Sequence, residues 1–440
     1  MSGAIMQGIT PQENSFMTDL RSKSSSRMNL GSWLVVLSVV FNFILCFINT
    51  RGWIYVNASL IALVELAIML AGFIVIRHDI SRKVAVIGAL SVAYMVGAKL
   101  INPSLSLKII HDFAIACIFW QIGYKTNIFQ VNKCLHAIIS ITIVFAIFEF
   151  LAPIQFGDVF NVWQYYVQKG VLSSDTVNYS GTNLYLSGNR GSASRLYFPQ
   201  IFGGHRISSV FLEPDSVGNL AAILFGWCLA TYKNSPGNRK IGLFLIVALL
   251  IVLSDSRFAT GCCLVMLILR VTPFARSALI AFLIPVCVMV LLTVVGSMNE
   301  ISGWLPSITS DDFSGRLLFS GRVLDYWDIS HWMALAVSPV YTADTGYAYI
   351  SNNLGIIFAL VYLISFSFTS MPNRVAGIMR MCVAVYFATS LCVGASVFTI
   401  KTAALLWFLY GASFTACRQL SRMMIEANWT AARKVDFSLS

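Results

Sequence analysis

Charge is scarce in this 440-residue chain: Asp, Glu, Lys and Arg make up 11% of it, against 57% hydrophobic residues. Such a composition excludes a soluble enzyme or binding module of this length. The ten cysteines fall in or beside apolar runs with no paired spacing in the segments between them, which excludes a disulfide framework and a zinc site. They read as small core residues. No glycine-rich nucleotide loop, metal-ligand cluster or Ser-His-Asp arrangement stands out, so no ATP, nucleotide sugar, metal or other cofactor is expected. No internal repeat is visible, and no small-residue cleavage site follows the first apolar run near residues 49–52. That run therefore reads as a retained anchor and not as a removed signal peptide.

What the chain does have is a succession of apolar runs, many of about 18 to 22 residues, the length that crosses a bilayer core. Twelve spans are expected, over residues 30–48, 53–76, 84–100, 109–124, 134–154, 209–232, 241–253, 258–269, 278–295, 351–368, 375–397 and 402–417. The expected class is an all-α polytopic membrane protein. Residues 1–29 form a polar cytoplasmic N-terminus, 30–154 the first five spans, 155–208 a large outside loop and 209–296 the sixth to ninth spans. A second outside loop covers 297–350, the last three spans 351–417 and a cytoplasmic tail 418–440. The seventh and eighth runs are short, so they read either as two crossings or as a re-entrant pair with residues 254–257 at its tip.

With the first residue inside, the inside segments hold most of the lysine and arginine, and the short outside segments hold only Arg51, Lys108, Arg257 and Lys401. This bias puts both termini in the cytoplasm. It also accounts for the net charge of +11 through inside loops facing anionic headgroups, so no nucleic-acid partner is needed.

Both long outside loops exceed ordinary connections. The first is rich in aromatic and amide residues (Trp163, Tyr165, Tyr166, Tyr179, Asn183 and Tyr185), a mixture suited to stacking on sugars. An interfacial, glycine-rich surface loop would have the same composition. Its later half carries Lys169, Arg190, Arg195 and Arg206, a basic patch suited to an anionic headgroup such as a diphosphate. The second loop brings Arg316, Arg322, Asp325, Asp328 and His331 close together in sequence, and ends in Asp344 and Gly346. Arg322, Asp325 and Asp328 would share one helix face, which equally suits a plain salt-bridged surface helix. His331 reads as a catalytic candidate or as a structural loop histidine.

Residues 206–219 (RISSVFLEPDSVGN) put one cation and two carboxylates at the mouth of an apolar run. Pro214 suits a first helical turn, and Glu213 and Asp215 suit the positive end of the helix dipole. The run after them, 221–229, reads as the body of a helix entering lipid. Between two later runs, Asp255 and Arg257 form either an intramembrane functional site or a pair that closes a turn.

Taken in order, HRISSVFLEPDSVGN, LSDSRFATG, FSGRVLDYW and DTGYAYISNNLG resemble the arginine-phenylalanine-proline, Ser-Arg, Ser-Gly-Arg and Asp-x-Gly-Tyr segments of the O-antigen ligase and polysaccharide polymerase (Wzy-like) superfamily. The likeness covers roughly residues 206–355. The EPDS segment stands where many ligase-type members have an Asn-rich segment, a variant associated more with capsule and exopolysaccharide polymerases.

The resemblance implies a GT-C-like membrane fold in the bacterial inner membrane and an undecaprenyl-diphosphate-linked oligosaccharide as substrate, with a chain-length regulator and a flippase as partners. It implies a metal-independent, inverting transfer of the growing glycan to another lipid-linked repeat unit on the periplasmic face. Arg206, Arg257 and Arg322 are then expected to bind the diphosphate. Glu213, Asp215 or His331 would act as general base, with Tyr185, Arg190, Arg195 and Asp344 contacting glycan. A ligase of the same fold and a lipid-linked glycan carrier are the competing readings. Against the carrier stand the lack of a repeat and the few ionisable residues inside early spans, namely Glu65, Lys99, Asp112 and Glu149.

Overall fold

A computed structural model describes residues 28–78, 80, 82–103, 105–106, 108–173, 182–184, 195–234, 237–302, 320–324, 328–336 and 346–416. Among them every regular element is helical. The first seven helices are α1 (Leu30–Thr50), α2 (Ala58–Ile76), α3 (Arg82–Ile101), α4 (Lys108–Lys125), α5 (Ile128–Leu151), α6 (Pro153–Val159) and α7 (Val162–Gln168). They are followed by α8 (Pro214–Thr231), α9 (Gly237–Ser254), α10 (Arg257–Val271), α11 (Ala278–Ser302), α12 (Gly346–Leu354), α13 (Ile356–Phe368), α14 (Arg374–Leu391) and α15 over residues 400–416.

Local chemistry sets where many of these begin. Helices α1, α2, α5, α7 and α14 each start after an asparagine (Asn29, Asn57, Asn127, Asn161, Asn373) whose side chain accepts from the amide three residues on, at 2.8 to 2.9 Å. That contact satisfies one of the donors a helix start leaves open.

The protein is all-α, with several apolar helices of membrane-crossing length. Among the described residues five qualify, α1, α2, α5, α14 and residues 278–295 of α11, and a sixth if α12 and α13 count as one bent span. The expected tenth run is thus not one straight helix: it starts at Gly346 and turns by 108° at Gly355, whose φ is +77°. Only glycine takes that backbone geometry at little cost. The expected eleventh run also stops early, at Leu391, and a 3-10 turn, Ser396–Phe398, leads into α15.

The run over residues 221–229, read as the body of a helix entering lipid, is surrounded by protein. Every residue of α8 except Asp215 is buried, and the helix is enclosed by α9, α10 and α14. A helix that is apolar all round suits either lipid or a protein interior, and here the interior holds it. Lipid-type exposure falls instead on the rim of the bundle, where only 11% of the apolar window of α11 is buried.

The α9–α10 hairpin runs alongside α8. Its tip places Ser256 against Gly218, and Arg270 Nε lies 3.5 Å from the Leu229 carbonyl towards the other end. The tip is therefore level with the start of α8. Backbone also meets backbone between α4 and α15: a Cβ on Gly123 would run into the Phe408 carbonyl, and one on Gly411 into the Trp120 carbonyl.

Candidate functional site

Glu149, buried near the end of α5, organises the segment that precedes α8. Its carboxylate accepts from the Ser208 amide at 3.0 and 3.1 Å, the Ser208 hydroxyl at 3.0 Å, the Ser209 amide at 2.5 Å, and pairs with His205 Nε2 at 3.0 Å. The segment needs such an anchor. Ser209 and Leu212 have φ of +49° and +62°, a left-handed conformation that costs a non-glycine residue about 1–2 kcal/mol. What this arrangement delivers is Glu213, in extended conformation as the residue before α8, with Pro214 opening the helix.

Glu213 collects groups from two distant parts of the chain and one from its own helix start. Oε1 accepts from the Tyr166 hydroxyl at 2.6 Å, and Oε2 accepts from the Ser216 hydroxyl at 3.1 Å and from Lys401 Nζ at 2.5 Å. The Lys401 side chain is 9% exposed and that of Glu213 33%. Lys401 stands in the first turn of α15, where the helix dipole disfavours a cation, so the carboxylate offsets both burial and dipole. Its position is fixed through the turn before it: Asn219 of α8 lies 3.4 Å from the Ser396 hydroxyl, and Thr399 and Thr402 both donate to the Ser396 carbonyl.

Lys169 ends α7 and lies 5.6 Å from the Tyr166 ring. Burial first, and then the Lys401 ammonium, pull its amine below the ordinary lysine value, while Glu213 and Glu65 oppose them. Burial and the Glu213 carboxylate push the Tyr166 phenol well up, so it stays a hydrogen-bond donor.

Beside this cluster a latch holds the hairpin tip. Arg206 is buried and donates to the Ser254 carbonyl at 2.9 Å and to Asp215 Oδ1 at 2.6 Å. Arg195, also buried, donates to the carbonyls of Tyr197, His205, Val252 and Leu253. Asp255 accepts from the amides of Leu196 and Tyr197 at 3.0 and 3.1 Å. Arg206 and Arg195, expected at diphosphate and glycan, thus have described donors directed at the protein itself, whereas Arg257 is exposed at the start of α10.

A second polar group joins α2, α4 and α12. Glu65 Oε2 lies 3.5 Å from His111 Nε2, His111 Nδ1 lies 3.2 Å from Asp112 Oδ1, and Asp112 Oδ2 accepts from the Tyr349 hydroxyl at 2.6 Å. Lys108 lies 5.5 Å from the Tyr349 ring, and that ring lies 5.7 Å from Phe398 in the turn leading to Lys401. Behind Asp112 is a largely apolar cavity of about 270 Å³, lined among others by Met95, Phe113, Met289, Leu363 and Phe387. Among the described residues, no three His, Cys, Asp or Glu side chains are placed to hold a metal ion.

The other expected residues are placed apart or lie outside the described set. Asp328 caps the turn Ile329–Trp332 and accepts from the Ser330 hydroxyl at 2.6 Å and the His331 amide at 3.1 Å, with His331 Nδ1 at 2.6 Å. These bonds, the Ser330 hydroxyl foremost, hold its carboxyl well below the usual carboxylate range. The described contacts of His331 are to Asp328, on a turn whose Met333 packs against the Gly355 bend, and they do not join it to Glu213. Asp328 is extended, so the single helix face expected for Arg322, Asp325 and Asp328 does not reach its last member. Arg322 is exposed in a helical stretch over 320–324. Tyr185, Arg190, Asp325 and Asp344 lie outside the described residues. Tyr165 and Tyr166, expected to stack on sugars, are buried, with their hydroxyls on Asn42 and Glu213.

Sequence reasoning missed Lys401 and His111 as site residues. The signal was present, since Lys401 and Arg380 are the only charges in residues 375–416, and His111 adjoins Asp112 at the start of an apolar run. The chain matches no family model, no curated protein and no solved structure.

Proposed function

We propose that this protein is a polysaccharide polymerase of the bacterial inner membrane that joins undecaprenyl-diphosphate-linked repeat units on the periplasmic face. In this reading the chain crosses twelve times, both termini are cytoplasmic, and the Glu213 end of α8 faces the periplasm. The observation that carries the reading is the convergence of Lys401 and Lys169 on Glu213 and Tyr166, at the end of the bundle where Arg257 is also exposed. The order of the four sequence segments supports it as well.

A glycosyl diphosphate leaves as an anion, so partly buried ammonium groups stabilise the charge that builds on the departing oxygen. Glu213 holds Lys401 in this cluster, and its charge also acts on Lys169. Arg206, through Asp215 and Ser254, fixes the hairpin tip that presents Arg257. The acceptor hydroxyl attacks the anomeric carbon in one displacement, which inverts it. The apolar cavity behind Asp112 offers room for part of an isoprenoid chain.

A lipid-linked glycan carrier is the second reading, favoured by that cavity together with the ionisable residues Glu65, His111 and Asp112 inside helices. Gene deletion followed by gel analysis of lipid-linked glycan separates the classes. Single repeat units exposed on the periplasmic face are expected. Long chains retained on the lipid point to a ligase, and single units confined to the cytoplasmic face point to a carrier.

A further inference from the structure

The expected proton acceptors are all engaged. Glu213 accepts from Tyr166, Ser216 and Lys401, Asp215 is bound to Arg206, and His331 is bound to an Asp328 whose side chain is 69% exposed. His111 is arranged differently. It stands in the first turn of α4 with Asp112 on one ring nitrogen and Glu65 facing the other. Asp112 is buried and its second oxygen is held by Tyr349, so its direction is fixed. With Nδ1–H directed at Asp112, Nε2 turns its lone pair towards Glu65. At 3.5 Å Glu65 Oε2 stands beyond the usual hydrogen-bond distance from Nε2, so the lone pair is open to a donor that approaches beside the carboxyl. Both side chains are about a quarter exposed, so that donor has access from outside.

We propose that His111 accepts the proton of the attacking hydroxyl of the acceptor glycan, with Asp112 as its positioning residue and Glu65 receiving the proton next. The proposal rests on the glycosyl-transfer reading. As the acceptor oxygen bonds to the anomeric carbon, its O–H proton goes to Nε2. The bond from that carbon to the diphosphate oxygen breaks, and its electron pair leaves with the diphosphate. The imidazolium then passes the proton to the Glu65 carboxylate and so to water.

The titratable groups around His111 are Glu65 from α2, Lys108 and Asp112 from its own helix, Tyr349 from α12 and Lys169 at the end of α7. Lys99 of α3 is directed at the Pro103 and Leu105 carbonyls. Helix α1 and the Ser396–Phe398 turn, which also pack on α4, carry no charged residue, and α15, which meets α4 at Gly123 and Gly411, carries Lys401, paired with Glu213.

The test uses cells that lack the chromosomal gene and carry the full chain, grown in media of graded pH, with the rate of polymer appearance read from gels. The wild-type rate is expected to rise with pH, because the base acts unprotonated. His111→Gln is expected to lower the rate about 100-fold and to flatten that rise. His111→Ala is expected to recover in part with imidazole in the medium, which a purely structural histidine would not allow. A wild-type rate and slope in His111→Gln overturns the assignment, and so does a slope that vanishes with His331→Gln instead. If His111→Gln does not reach the membrane, Asp112→Asn decides: a lower rate with a displaced pH limb supports the proposal, and an unchanged rate and limb overturns it. Lys401→Ala, run alongside, separates the two levels. Polymer lost there but kept in His111→Gln removes the base alone, and polymer formed in cells that carry no copy of the gene removes the glycosyl-transfer reading too.

Discussion

Lys401 and Glu213 are 188 positions apart, yet the packing pairs them. Removing the lysine leaves a partly buried carboxylate with one fewer charged donor, a loss of about 2 kcal/mol. Lys401→Ala is therefore expected to lower thermal stability in detergent modestly and to abolish polymer, while Lys401→Arg keeps the charge and loses less. Wild-type polymer in Lys401→Ala would remove the lysine from the site. Glu149 should behave in the opposite way. Glu149→Ala leaves the Ser208 and Ser209 amides buried without their acceptor, at a cost of about 3 kcal/mol or more. Reduced protein in the membrane is expected, since the loss lies in the fold. Glu213 was legible in the sequence because the Glu-Pro-Asp start of a helix is a local pattern. Lys401 was not, because a single lysine between two apolar runs carries no mark of its partner.

Among the helices, the approach of α4 to α15 has no room for a side chain at Gly123 or Gly411. Gly411→Ala is expected to force the two helices apart and to lower the melting temperature more than Gly355→Ala. At Gly355 the backbone (φ +77°, ψ +149°) is one that essentially only glycine adopts, at a cost on the order of 1–3 kcal/mol for alanine, and the added Cβ meets the Met333 backbone at 3.2 Å. Differential scanning measurements on the two variants check the order. Helix starts were readable here, because an asparagine cap acts within one turn. The bend at Gly355 was also written locally, as a glycine after SNNL, a helix stop inside an apolar run. The burial of α8 was not readable: an apolar run looks the same whether lipid or protein surrounds it.

Across the whole molecule, the hairpin of α9 and α10 carries the sharpest topological prediction. Its tip is level with the start of α8 and bound to it through Arg206, Asp215 and Ser254. A periplasmic phosphatase fused after residue 256 should therefore be active, as should fusions after residues 170 and 336, and fusions after 234 and 373 should be inactive. An inactive fusion at 256 would return the pair to a re-entrant loop.

The sequence by itself determined the all-α class, the presence of several apolar helices and the acidic start of α8, because hydropathy, capping and helix initiation act over a few neighbouring residues. Only the tertiary structure decided which charges meet. It brought Lys401, Tyr166 and Glu213 together, set Glu65 and Asp112 on either side of His111, and turned Arg195 and Arg206 towards the protein's own carbonyls. Those pairings depend on how helices far apart in the chain are packed. A buried charge must find its partner wherever the packing brings one within reach, and no local pattern records that distance.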